Sequence, residues 1–199
     1  MKAARFLMVG LAVCALATAA AADTFTYRPS DLDIYDLDHG RYYTWGMERL
    51  WDDDEEVIAA SLFFDDIRNW NNSSNDLFVR LLDTGPMGLV SYRDDHRETV
   101  DAFDGQGVLL VHYEDLPDTA QDLTVTFSVN QLLALNTFAD NGNDFMVALD
   151  PDCHFYNSGV SLSVTTSPEE TPDIPEPATL GLVVLGGIGA ILHRRRNRR

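Results

Sequence analysis

Closely spaced aspartates are the residues of this chain whose type and spacing best fit a chemical role. Hard cations such as Ca²⁺ take several oxygen ligands from flexible loops. Six aspartates in two short segments offer such ligands: Asp31, Asp33, Asp36, Asp38, Asp150 and Asp152. If the first and last strands of the domain pair, as they often do in β-sandwiches, the two segments meet. The spacing therefore predicts a Ca²⁺ site formed by these aspartates.

Two other interpretations of the same segments stay open. In the first, the carboxylates are solvated in surface turns and at helix caps and bind no ion. The EF-hand pattern does not fit, because Gly40 stands where a ligand is expected and the twelve-residue spacing ends on Met47. In the second, His39, Cys153 and His154 bind zinc, which prefers imidazole and thiolate ligands.

The sequence contains no familiar catalytic motif. Gly-x-Ser-x-Gly, HExxH, a phosphate-binding loop and CxxC are all missing. Paired carboxylates could hydrolyse a glycan, but an acidic chain offers such pairs through its composition alone. We therefore expect a non-enzymatic protein, with a small extracellular glycan hydrolase as the alternative. Six aromatic side chains would stack on sugars if exposed, and would otherwise pack in the core: Tyr42, Tyr43, Trp45, Trp51, Trp70 and Tyr92.

The distribution of charge excludes one class of partner. The chain has 32 Asp and Glu against 14 Lys and Arg, for a formal net charge of −18. Between Asp23 and Ile174, seven arginines stand against 31 acidic residues, a formal charge of −24, and lysine is absent there. Such a body repels phosphate groups, so we expect no binding to nucleic acid.

Short apolar runs bounded by turn residues predict that residues 23–166 form one all-β domain. The predicted strands are 42–45, 57–64, 77–82, 108–113, 123–129, 144–149 and 160–165. This pattern indicates a two-sheet, jelly-roll-like β-sandwich, interrupted by one short helix that Asn130 caps. Residues 83–107 are predicted to form a polar surface excursion. Alternation places two sets of side chains inward: Ile58, Ala60, Leu62 and Phe64, then Leu123, Val125, Phe127 and Val129.

Residues 1–22 have the three parts of a secretory signal peptide. Lys2 and Arg5 form the charged start, 6–17 the apolar stretch, and three alanines the cleavage site before Asp23. An uncleaved anchor is the alternative, although a span usually needs about 17–25 apolar residues. Cleavage removes Cys14, which leaves Cys153 without a disulfide partner in the mature chain. Cys153 is then either a reactive thiol or a small buried side chain.

Residues 167–174 form a linker rich in proline and acidic residues, and 175–199 contain a possible membrane segment. The apolar run 178–192 has fifteen residues, which as a helix rise about 23 Å against a hydrocarbon core of about 30 Å. The arginine-rich residues 193–199 should stay in the cytoplasm while the body lies outside the inner membrane. The segment is therefore predicted to be a marginal single transmembrane helix.

The tripeptide Pro175-Glu176-Pro177, the glycine-rich apolar run and the arginine cluster together resemble the PEP-CTERM sorting signal. The resemblance implies an exopolysaccharide-producing Gram-negative bacterium in which exosortase, a membrane protease-transpeptidase, cuts at or near Pro175, Glu176 and Pro177. An ordinary tail anchor, which would also place the body outside the inner membrane, is the alternative.

The body is similar to a group of PEP-CTERM ectodomains. Four stretches carry this similarity: 36–39 (DLDH), 42–46 (YYTWG), 60–64 (ASLFF) and 150–157 (DPDCHFYN). Such ectodomains resemble jelly-roll carbohydrate-binding modules. Together with the sorting signal, this resemblance implies a secreted protein that is first anchored in the membrane and then reaches the cell surface or extracellular matrix. There it would associate with exopolysaccharide in a biofilm.

Overall fold

Two antiparallel β-sheets stack face to face around an apolar core. The computed structural model describes residues 22–30, 32–94 and 100–168. The predicted signal peptide, the linker beyond Pro168 and the segment 175–199 lie outside the described residues. Within the described part of the chain, no helix is both long and apolar enough to cross a membrane.

The described residues form eleven strands, one α-helix and a short 3-10 helix at Leu32–Tyr35. The strands are β1 (Asp23–Tyr27), β2 (Asp36–Leu37), β3 (Arg41–Glu48), β4 (Glu55–Asn69), β5 (Asp76–Leu82), β6 (Gly88–Arg93), β7 (Val108–Glu114), β8 (Gln121–Thr126), β9 (Asp144–Pro151), β10 (Phe155–Tyr156) and β11 (Gly159–Pro168). The α-helix, α1, spans Val129–Gly142 between β8 and β9.

The strand order confirms the predicted sandwich. In the first sheet β11 lies between β1 and β4, and β8 pairs with the other edge of β4. The second sheet has the order β6-β3-β9-β5-β7. Without β6 and the two-residue strands, β1-β11-β4-β8 faces β3-β9-β5-β7, which is the arrangement of a jelly roll.

Alternation along β9 explains why both faces of the second sheet are covered. Phe145, Val147 and Leu149 point into the core between the sheets, where each large apolar side chain contributes about 1.5–3 kcal/mol. Met146 and Ala148 point to the opposite face, where Phe103 and Leu82 pack on them. The excursion between β5 and β7 therefore folds back onto the sheet and buries its outer face.

The excursion is more regular than its polar sequence indicated. It contains β6, which adds an edge strand to the second sheet beside β3. Its later part is held by Arg80 of β5, whose guanidinium contacts Asp101 at 2.5 Å and donates to the Gln106 carbonyl at 3.0 Å.

Two of the predicted inward positions are wrong. Ile58 is 48% exposed and Val57 is buried in its place, because the β4–β11 pairing slips by one residue between Thr165 and Thr166. Val129 is 82% exposed, because the helix begins there and not after Asn130. Ser128 is the N-cap, and its backbone N–H donates to the Gln131 side chain at 2.7 Å.

Candidate functional site

Three neighbouring strands of the first sheet present alternate residues on one solvent-facing surface. Tyr156 of β10 stands in register with Asp36 of β2 on one side and with Arg68 of β4 on the other. The next row, Leu37, Phe155 and Asn69, points inward and is buried. One step further, Trp70 donates its backbone N–H to the His154 carbonyl at 2.9 Å, so the pairing continues.

Alternation therefore places six side chains on this surface, which we call the outer face. Its members are Asp36, Asp38, Arg68, Trp70, His154 and Tyr156.

Aromatic rings run across the middle of the outer face. Trp70 is 58% exposed and Tyr156 is 39% exposed. The His154 ring lies 5.0 Å from the Tyr156 ring and 6.3 Å from the Trp70 ring, centroid to centroid. The Arg68 guanidinium lies 5.7 Å from the Tyr156 ring, a cation–π contact. The surface thus combines flat apolar rings with charged groups on either side.

Carboxylates and imidazoles meet at the β2 end of the outer face. The His154 Nε2 contacts a carboxylate oxygen of Asp36. His39 lies beside Asp38, with Nδ1 3.3 Å from Oδ1, and its ring centroid is 6.4 Å from that of His154. Sequence spacing marked all four residues and predicted that the two segments meet, and the β2–β10 pairing brings Asp36 and His154 into contact.

A buried tyrosine holds the β2 backbone from below. The Tyr43 hydroxyl accepts the Asp38 N–H at 3.0 Å and donates to the Asp36 carbonyl at 3.3 Å. Burial raises the pKa of Tyr43 above its ordinary value, so the hydroxyl keeps its proton at neutral pH. The positions of both aspartates are therefore tied to a side chain of the second sheet.

The other predicted calcium ligands lie in different surroundings. Asp31 is outside the described residues, and Asp33 lies in the 3-10 helix with a side chain that is not described. Asp150 is 0% exposed beneath the excursion, where its Oδ2 accepts the Ala102 N–H at 2.6 Å. Asp152 is among the carboxylates that raise its pKa, and Asp150 belongs to β9 of the second sheet whereas Asp36 belongs to β2 of the first. The structure thus places the aspartates in two separate groups, and calcium binding stays a prediction.

The environment of Asp150 disfavours the ionised form of its carboxyl group. Burial is the main cause that raises its pKa from 3.8 to about 7, and the carboxylates of Asp152, Asp94 and Asp101 add to the shift. The hydrogen bond from Ala102 acts in the opposite direction. The second carboxylate oxygen, Oδ1, is buried without a hydrogen-bond partner among the described residues.

Cys153 and the aromatic candidates divide clearly by burial. Cys153 lies in the core with its Sγ 3.9 Å from the Ser73 hydroxyl, so of the three predicted zinc ligands only His39 and His154 are at the surface.

Tyr43, Trp45 and Trp51 are also buried. The exposed aromatic residue among the six candidates is Trp70, while Tyr42 and Tyr92 line a cleft. Sequence reasoning missed Tyr156 and Arg68, although both alternate with inward-facing neighbours.

The cleft lies on the second sheet and has a volume of about 370 Å³. Tyr42 stacks on Tyr92 at 5.1 Å, and the Phe103 ring meets Tyr42 edge-on at 5.2 Å. Asp83 is the one carboxylate among the described residues that line it. The cleft has the size of a small-molecule site.

Comparison with known protein families assigns the C-terminal part of the chain. Residues 173–199 match the PEP-CTERM protein-sorting motif. This chain carries a PEP-CTERM sorting signal. The match contains Pro175, Glu176 and Pro177, together with the apolar run and the arginines. The PEP-CTERM protein is therefore a secreted surface protein whose precursor is anchored in the membrane and processed by exosortase.

The PEP-CTERM protein also shows distant structural likenesses. Latent aurone synthase (polyphenol oxidase) from a natural source is 10% identical with a TM-score of 0.40, covering 68% of this chain and 26% of that one. The recombinantly expressed latent enzyme is 12% identical with a TM-score of 0.41, covering 73% and 28%. The chain thus spans about a quarter of the length of these proteins. Comparison with curated protein sequences finds no match.

Proposed function

We propose that this PEP-CTERM protein is a non-enzymatic component of the cell surface that binds a matrix glycan through its outer face. The observation that carries the proposal is the row of rings formed by Trp70, His154 and Tyr156, of which Trp70 is 58% exposed. Aromatic rings supply large apolar contacts to a partner and are enriched at binding surfaces. The apolar faces of sugar rings stack on such side chains.

The groups beside the rings supply the polar part of sugar recognition. Asp36 lies on one side of Tyr156 and accepts hydrogen bonds, whereas Arg68 lies on the other side and donates them. Hydroxyl groups of a sugar both donate and accept, so they match donors on one side and acceptors on the other. A sheet surface keeps these groups in fixed positions, which lowers the entropy lost on binding.

The charge of the body narrows the class of glycan. A formal charge of −24 between Asp23 and Ile174 repels polymers that carry carboxylates or sulfates. We therefore infer that the ligand is a neutral exopolysaccharide. An acidic polymer would bind only at high ionic strength, where the repulsion is screened.

Glycan-array screening of the full chain, followed by affinity measurements on variants, tests the proposal. Trp70→Ala and Tyr156→Ala should each weaken binding of the selected glycan at least tenfold, equivalent to about 1.4 kcal/mol. Leu133→Ala removes an apolar side chain that is 64% exposed on α1, and it should leave affinity unchanged. Failure to retain any glycan, or equal effects of Trp70→Ala and Leu133→Ala, would contradict the proposal.

A glycan hydrolase in the second-sheet cleft is the competing function. The aromatic lining of Tyr42, Tyr92 and Phe103 favours it, but hydrolysis uses two carboxylates about 5–9.5 Å apart. Tyr42→Ala distinguishes the two functions, because it alters the cleft and leaves the outer face intact. Release of reducing sugar that Tyr42→Ala abolishes would favour the hydrolase over the binding protein.

A further inference from the structure

We propose that Asp36, Asp38, His39 and His154 form a surface site for a divalent transition-metal cation of the Zn²⁺ type. The ligand atoms of Asp38, His39 and His154 lie within 4.8 Å of one another, and Asp36 contacts the His154 ring. The residues come from two segments more than a hundred positions apart, which the β2–β10 pairing brings together. The site does not depend on the proposed glycan binding.

One pair of ligands already has the spacing expected around a bound cation, since His39 Nδ1 lies 3.3 Å from Asp38 Oδ1. Ligands at 2.0–2.2 Å from Zn²⁺ in a tetrahedron lie about 3.4 Å apart. The His39 side chain is 61% exposed, so its ring has room to turn toward the other ligand atoms, which lie within 4.8 Å. Asp36 then either binds the cation or accepts the second N–H of the His154 imidazole, the usual support of a metal-bound histidine.

The backbone beneath the site is already ordered. The Tyr43 hydroxyl bonds the main chain at Asp36 and Asp38, and the Gly40 N–H donates to Asp38 Oδ1 at 3.3 Å. The nearby Arg41 donates to the Ser91 hydroxyl at 3.1 Å. Arg41 lines the same pocket as Asp36 and Asp38, and the negative charge of the two aspartates outweighs its single positive charge.

The types of ligand select the cation. Two imidazoles and one or two carboxylates suit Zn²⁺, Ni²⁺ and Cu²⁺, whereas Ca²⁺ requires six to eight oxygen ligands. The described residues of the outer face place two carboxylates near this point, which are fewer protein oxygens than Ca²⁺ usually takes. We therefore expect Zn²⁺ to bind here in the presence of excess Ca²⁺.

Calorimetric titration of the full chain with Zn²⁺, after treatment with chelator and without a polyhistidine tag, tests the site. We expect binding that His39→Gln and His154→Gln each weaken at least tenfold. His112→Gln tests the competing cluster, because the ligand atoms of Asp76, His112 and Glu114 also lie within 4.8 Å of one another; in that cluster the His112 ring stacks on Phe78 at 4.0 Å. His112→Gln should leave this binding unchanged, and excess Ca²⁺ should not displace Zn²⁺.

Substitution of Co²⁺ for Zn²⁺ gives a second readout, since the visible spectrum of Co²⁺ changes when imidazole replaces water. The spectrum should change on addition of the wild-type protein and not of the His39→Gln variant. If His154→Gln fails to fold, the well-exposed His39 still tests the site. Absence of Zn²⁺ binding, or binding that His112→Gln weakens and His39→Gln does not, would overturn the proposal.

Discussion

Replacing Asp150 by Asn should prevent the loss of stability that the sandwich otherwise suffers as pH rises. Asp150 is 0% exposed, and its pKa rises from 3.8 to about 7 chiefly through burial. The carboxylates of Asp152, Asp94 and Asp101 face it, and the positive charge of Arg80 is bound to Asp101. Asn keeps the shape of the side chain and an oxygen that accepts the Ala102 N–H, but it carries no charge.

The sign of the effect follows from the two pKa values. The folded protein holds the proton of Asp150 more tightly than the unfolded chain does, because its pKa is higher in the folded state. The protonated Asp150 carboxyl contributes to the free energy of unfolding. This contribution is fully present below pH 3.8 and is lost as pH rises through about 7. A shift of about three units at 1.36 kcal/mol each gives a loss of about 4 kcal/mol by pH 8.

Urea unfolding of wild type and Asp150→Asn in the presence of chelator measures this difference. The variant's advantage in free energy of unfolding should grow from pH 4 to pH 8 by about 4 kcal/mol. Asp118→Asn, at an exposed position in the loop before β8, is the control and should show no such growth.

Two results would refute the reasoning. One is a difference between Asp150→Asn and wild type that stays constant from pH 4 to pH 8. The other is an Asp150→Asn variant that is less stable than wild type at pH 8 with chelator present. Either result would mean that the folded protein compensates the charge of Asp150 despite its burial.

Three further predictions concern calcium, sorting and the β4 bulge. Ca²⁺ at a hundred times its Kd should stabilise wild type by about 2.7 kcal/mol in thermal unfolding and should not stabilise Asp152→Asn, with Mg²⁺ at equal ionic strength as the control. Replacing both prolines of the tripeptide 175–177 by alanine should leave the protein uncut in a host that has exosortase, as gel mobility would show. Val57→Ala should cost about 2 kcal/mol in urea unfolding and Ile58→Ala less than about 0.5 kcal/mol, because only Val57 is buried.

The fold class could be read from the sequence because alternation and turn residues are local signals. The predicted strands 77–82 and 108–113 agree closely with β5 and β7. The strands β2 and β10 could not be predicted, because a strand of two residues is too short to show alternation of apolar and polar side chains. The burial of Val57 in place of Ile58 could not be predicted either, because a β-bulge depends on the pairing with the partner strand.

The candidate site could be predicted only in part, for a related reason. The aspartates of β2 and the histidines were marked by residue type and spacing. Their contact depends on the pairing of β2 with β10, which joins segments distant in the chain. Arg68 belongs to no motif and Tyr156 only to the stretch 150–157, and both join the outer face through their register across the three strands.

The contrast between the two Asp-x-Asp segments shows how the fold assigns different roles to the same pattern. Asp36 and Asp38 lie on an open face, with side chains 56% and 44% exposed, beside the imidazoles of His154 and His39. Asp150 lies on the side of the second sheet that faces away from the core. That side would also be open if the excursion 83–107 did not cover it. The first pair is therefore accessible to ligands in solution. Asp150 is instead predicted to make the stability of the sandwich depend on pH.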